Sequence, residues 1–172
     1  MPPTSNGRSL SVARRLYGLL VSGANLLQSP FLLLVRLYWG WQFFLTGKGK
    51  LLNLERTSDY FSSLGIPMPT VSAFANASLE CVGGLLLLVG LASRLISIPL
   101  AISMVIAYLT ADFAKVQTIF SNPDQFVTAD EFLFLFAVLL ILVFGPGAIS
   151  IDALIKRRLA PKPMERKADA KA

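Results

Sequence analysis

Four apolar stretches, two of them interrupted by a charge, constrain this chain more than any other feature. They cover residues 31–45, 71–91, 95–109 and 132–144, with Arg36 inside the first and Glu80 inside the second. About 20 apolar residues in a helix cross a bilayer core, and the shorter stretches approach that length with their semi-polar flanks. An ionisable group placed in such a span costs on the order of 2.5–3.5 kcal/mol, so it normally has a partner or a task. The chain therefore reads as an all-α integral membrane four-helix bundle with a built-in ion pair and amphipathic interfacial helices at both ends.

Composition narrows the chemistry. Of the 172 residues, 54% are hydrophobic and only 15% charged, against about 25% charged in soluble domains. Residues 71–91 offer only Ser72, Asn76, Ser78 and Glu80 as polar groups, too few for the wet face of a soluble amphipathic helix. There is no His and a single cysteine, Cys81. Imidazole-ligated metal centres, iron–sulfur clusters and a Cys-x-x-Cys pair all need residues this chain lacks, so no metal site is expected. Redox chemistry would have to run on a bound organic cofactor or on a partner.

The punctuation of the sequence predicts the layout. Residues 1–9 are polar and read as disordered. Residues 10–27 carry Arg14 and Arg15 ahead of a leucine-rich run, which fits an uncleaved helix lying on the membrane surface better than a signal peptide. Ser29-Pro30 predicts a turn. Helices are expected over about 31–46, 71–91, 95–112 and 130–144, within one domain spanning 10–159. Gly47-Lys48-Gly49-Lys50 predicts the exit of the first helix into water. Tyr60, Phe61 and Leu64 predict a short amphipathic helix before the Gly65-Ile66-Pro67-Met68-Pro69 stop. Ser93 is the expected cap after the Gly90–Ala92 turn, and Asp112 and Lys115 are spaced to pair. Ser121-Asn122-Pro123-Asp124 signals a turn, and Thr128-Ala129-Asp130-Glu131 has capping-box spacing. Gly145-Pro146-Gly147 ends the fourth helix, residues 150–159 form a short amphipathic helix, and 160–172 form a disordered basic tail.

Four crossings would put both termini on one side with the Arg94 turn. That side would hold Arg8, Arg14, Arg15, Arg94, Lys156, Arg157, Arg158, Lys162, Arg166, Lys167 and Lys171, against Lys48, Lys50, Arg56 and Lys115 opposite. The asymmetry predicts cytoplasmic termini. Anionic lipid accounts for the net charge of +6 without nucleic acid as a partner.

Candidate functional residues follow from the charged spans. Arg36, Gly40, Phe43 and Gly47 share one helix face, and Glu80 is followed a turn later by Gly83 and Gly84; small residues beside a charge let a second helix approach. The depths of Arg36 and Glu80 differ by roughly 9 Å at 1.5 Å per residue, which predicts that they pair. Two readings stand: a polar pocket for a quinone-like head group or a proton relay, and a pair that only orients two helices. Tyr38, Trp39 and Trp41 either stack on a ring or anchor the helix at the interface. Asp112, Asp130 and Glu131 would ring the outer mouth of the bundle, as site or as helix caps. Cys81 reads as packing, and Gly83-Gly84 as a helix contact.

Across residues 26–153 the chain resembles the DoxX family of small membrane proteins. The residues that carry the likeness are Arg36, Gly40, Phe43, Gly47, Lys48 and Lys50, the Gly65-Ile66-Pro67 turn, Glu80-x2-Gly83-Gly84 running to Arg94, and Gly145-Pro146-Gly147-x2-Ser150-Ile151-Asp152. The resemblance implies a four-helix bacterial inner-membrane protein linked to redox complexes. Members are associated with a thiosulfate:quinone oxidoreductase and with an assembly containing superoxide dismutase and a sulfurtransferase. The expected role is a subunit of a quinone-linked or redox-protective complex. It would hold lipid or quinone near Arg36 and Glu80 while protein partners, or further copies, share the work. A structural accessory subunit and a small proton-coupled transporter are the rivals. Catalytic residues are not assignable from the sequence.

Overall fold

The computed structural model describes the backbone of residues 5–159 and the side chains of 14–159. Every regular element among the described residues is helical. The first, α1 (Ser5–Leu52), is one continuous helix of 48 residues. The expected turn at Ser29-Pro30 is absent, and so is the expected exit at Gly47–Lys50. Residues 5–9, expected to be disordered, belong to α1, while 1–4 and the 160–172 tail lie outside the described residues.

Tertiary contacts explain both departures. Beside Pro30, the Ser29 hydroxyl accepts the Ala148 amide at 2.7 Å, so the loop after the last long helix braces α1 where proline removes a backbone donor. Gly47 does not stop the helix because it meets α3 (Pro69–Val89) backbone to backbone. A Cβ there would fall on the amide of Cys81 and the carbonyl of Ala77. Gly84 answers from α3: a Cβ on it would lie 2.5 Å from the Phe44 nitrogen and 2.6 Å from the Gly40 oxygen. Gly40, Gly47 and Gly84 thus let two antiparallel helices pack at closer range than any side chain permits, as the shared face predicted.

Between them, α2 (Leu54–Ser63) is the expected short amphipathic helix. It lies against α3, where its buried Ser58 hydroxyl meets Thr70 Oγ1 at 2.8 Å. After α3 the chain reverses through Gly90 (φ +71) and Ala92 (φ +49) into α4 (Ser93–Thr110). Two short helices follow, α5 (Phe113–Gln117) and α6 (Pro123–Val127), then α7 (Asp130–Phe144) and α8 (Ile151–Leu159). In sequence of contact, α1 packs on α3, α3 on α4, α4 on α7 and α7 back on α1. Phe43, Leu87, Leu100, Met104, Val138 and Ile141 fill the centre of that ring.

Two caps differ from expectation. Ser93 does not cap α4 with its own side chain. The Asp152 carboxylate, at the start of α8, accepts the amides of Ala92 (2.7 Å) and Ser93 (2.9 Å) and so satisfies the exposed donors of that helix end. The Thr128–Glu131 box does not form either. Ala129 is the N-cap of α7, and the Thr128 hydroxyl turns back to the Asp124 carbonyl at 2.7 Å because α6 ends there.

Among the described residues, three helical segments are long and apolar enough to cross a membrane: 14–52 of α1, Pro69–Val89 and Ser93–Thr110. Large apolar side chains such as Val82, Leu109 and Phe136 are each about half exposed. In water that would be a liability. Against acyl chains it is the required surface.

Candidate functional site

Arg36 and Glu80 do not meet. Arg36 is buried in α1, yet its guanidinium faces carbonyls: Nε donates to Leu87 O at 3.1 Å, Nη1 to Pro146 O and Nη2 to Ile149 O at 3.1 Å. It therefore fastens the end of α3 and the 145–150 loop to α1. Gly90 is what lets it in, since a Cβ at that position would sit 2.7 Å from Nη1. The expected Arg36–Glu80 pair is corrected to two separate sites at opposite ends of the ring.

Glu80 has a different cation. Lys50 Nζ lies 2.6 Å from Oε1 and 2.8 Å from Oε2, and Asn76 Nδ2 donates to Oε1 at 3.0 Å. Asn76 Oδ1 in turn accepts from the Ser103 hydroxyl, so the polar chain runs α1–α3–α4. Glu80 is 1% exposed and Lys50 about a third, which fits a carboxylate buried at the foot of a cavity and a lysine whose stem reaches down to it. The local sequence explains the placement. Lys50 continues the Arg36, Gly40, Phe43, Gly47 stripe at the next helical step, three residues on, and Asn76 stands one turn before Glu80. Lys50 sits 14 residues beyond Arg36, about 21 Å along the helix.

Above this chain opens a cavity of about 870 Å³ between α1, α2, α3, α4 and the first turn of α7. Phe43, Leu79, Met104 and Phe134 form part of its apolar wall, Tyr60 and Phe61 of α2 stand on one side, and Asp130 and Glu131 stand at the α7 end. The aromatic wall is fixed by Phe43 against Phe134, with centroids 4.6 Å apart in edge-to-face geometry. Pockets of this size and lining accept small amphipathic molecules.

Of the other candidates, Phe43 and Glu131 line the cavity. Tyr38 is largely exposed and touches Trp39, which packs on Phe134 outside it. Gly40 and Gly84 serve the α1–α3 contact, and Gly83 meets Ile96 and Leu100 of α4. Asp112 pairs with Lys115 at 2.9 Å, as its spacing predicts. The hydrogen bond from Lys115 holds the Asp112 carboxyl below its ordinary range, and the same bond raises the Lys115 ammonium above its own. Lys50, Asn76 and Ser103 are the site residues that the sequence reading missed. Among the described residues no cluster of His, Cys, Asp and Glu has the make-up of a metal site.

An all-helical ring with membrane-length apolar segments and a buried carboxylate under a lined cavity defines a membrane protein with an internal polar site. The DoxX family model matches residues 31–113, so through this segment the chain is similar to the DoxX family. It is 28% identical over 123 residues to a Bacillus subtilis (strain 168) protein named "Putative oxidoreductase CatD", covering 72% of this chain and 85% of that one. It is also 28% identical over 141 residues to a Mycobacterium tuberculosis (strain ATCC 25618 / H37Rv) protein named as an uncharacterised membrane protein, covering 75% and 83%. No solved structure matches.

Proposed function

We propose that this protein is a DoxX-type small inner-membrane subunit of a quinone-linked or redox-protective complex, and that the cavity above Lys50 and Glu80 holds a quinone-type ring lipid. The cavity carries the reading: it is large, mostly apolar, lies among membrane-length helices, and ends in a satisfied polar chain. In this reading its own residues bind and orient the ring. The oxidoreductase name of one relative is consistent with a redox context. Partner subunits or further copies of the chain would supply the electron path.

Ala107→Trp and Ala75→Trp, both on the cavity wall, add bulk there while keeping Lys50 and Glu80. Protein purified in mild detergent is expected to yield a ring lipid by mass spectrometry of the extract, and the two tryptophan variants are expected to lose most of it at unchanged melting temperature. A wild-type extract without any ring lipid, or equal amounts in all three proteins, overturns the reading.

The same reading places α7 as a fourth crossing and both termini in the cytoplasm. The 15 residues of α7 give about 22 Å of helix, short of a hydrocarbon core of about 30 Å, so local thinning or snorkelling flanks complete the span. Its partly exposed Leu133, Phe136 and Val143 suit lipid contact. A reporter fused after Ala172 is expected inside and one inserted at Gly65 outside. Reporters on the same side for these two positions would remove the odd number of crossings between them.

A further inference from the structure

We infer that the cavity prefers the reduced, hydroxyl-bearing form of its ring ligand, a hydroquinone, over the corresponding quinone; this rests on the reading of the cavity as a ring-lipid site. The inference comes from where the hydroxyl protons on its wall already go. Thr46, Thr57, Ser72, Ser103 and Thr110 all line the cavity. Thr46 Oγ1 donates to Phe43 O at 3.0 Å, Thr57 Oγ1 to Asn53 O at 3.0 Å and Ser72 Oγ to Pro67 O at 2.8 Å. Thr110 Oγ1 donates to Ile106 O at 2.8 Å, and Ser103 Oγ to Asn76 Oδ1.

A hydroxyl has one proton and two lone pairs, so each of the five presents only lone pairs to a guest. The inner donors are fewer. Lys50 has already turned two hydrogens to Glu80 and keeps a third, and Asn76 keeps the second hydrogen of its amide. Arg56 and Tyr60, both more than a third exposed, belong to the rim.

A quinone carbonyl only accepts. It can take a hydrogen from Lys50 or Asn76, but against the five hydroxyl oxygens it sets lone pair facing lone pair. A hydroquinone hydroxyl accepts from those same donors and gives its own proton to one of the five oxygens. A site whose polar groups are arranged to receive a substrate hydrogen discriminates strongly against the analogue that lacks it. One further hydrogen bond made by one form alone is worth roughly tenfold in affinity.

The test uses the full chain in mild detergent under argon, with equilibrium dialysis of three probes: a short-chain alkyl 1,4-benzohydroquinone, its quinone and its dimethyl ether. The ether keeps the ring and both oxygens but has no hydrogen to donate. The hydroquinone is expected to bind about tenfold more tightly than either of the others. In Thr110→Val, Thr46→Val or Thr57→Val the preference is expected to narrow through weaker hydroquinone binding, with quinone binding unchanged. Equal binding of the three probes to the wild-type chain overturns the preference and leaves the ring-lipid site standing. Binding of none of them overturns both. A wild-type preference that persists undiminished in all three variants shows that these oxygens do not set it, and overturns the assignment.

Discussion

Lys50→Met is expected to cost about 3–5 kcal/mol of stability, the loss seen when one partner of a buried pair is removed. The carboxylate left behind is 1% exposed and keeps only Asn76 as a donor. Glu80→Gln should cost less, about 1–3 kcal/mol for a buried polar chain left incompletely satisfied, because the freed Lys50 ammonium is about a third exposed and reaches water. The double variant should recover much of the Lys50→Met loss, since no orphan charge remains. Thermal unfolding in detergent of all four proteins gives the coupling energy. The parallel cycle with Arg36 and Glu80 should be additive within about 0.5 kcal/mol. Additivity in the Lys50 cycle, or strong coupling in the Arg36 one, would reverse the assignment of ion-pair partners.

Arg36→Met should be at least as damaging. Three carbonyls, of Leu87, Pro146 and Ile149, lose their donor at once, the first buried and the other two part-buried, and a buried acceptor left unmade costs about 1–3 kcal/mol. The loss is a large fraction of the stability of a typical small domain, so the expected readout is loss of monodisperse protein on size exclusion as well as a lower melting temperature. Arg36→Lys keeps the charge but not the planar fork that reaches three carbonyls on two segments, and should rescue only part of the loss. A melting temperature for Arg36→Met within a few degrees of wild type would mean that the carbonyls find other donors, and that the fastening role is wrong.

The helices could be read from the sequence because lipid leaves so little choice. Runs such as 71–91 must satisfy their backbone internally, and glycine and proline punctuate them clearly. The shared face of Arg36, Gly40, Phe43 and Gly47 was legible for the same reason, and it does lie against α3. What failed was the inference from local signals to tertiary partners. Gly47 and Gly49 look like a helix end because glycine is a poor helix former. At Gly47 that preference is outweighed by backbone contact with Ala77 and Cys81, which no local rule contains. A helix ending there would leave Lys50 in water, away from Glu80, whereas the continued helix carries it to the carboxylate. Asp152 as the cap of α4 was hidden in the same way, its amide partners lying 59 and 60 residues earlier.

The wide sequence separation at Arg36 has a consequence for how the protein is made. Its guanidinium ends on Pro146 and Ile149, which follow it by 110 and 113 residues. At roughly 5–20 residues per second of synthesis, the arginine is in the nascent chain for about 5–20 s before either carbonyl exists. For much of that interval its one native acceptor is the Leu87 carbonyl, 51 residues on, and water, head groups or the insertion machinery must serve the rest of the guanidinium. The 145–150 loop, made late, is the one that finally dehydrates it.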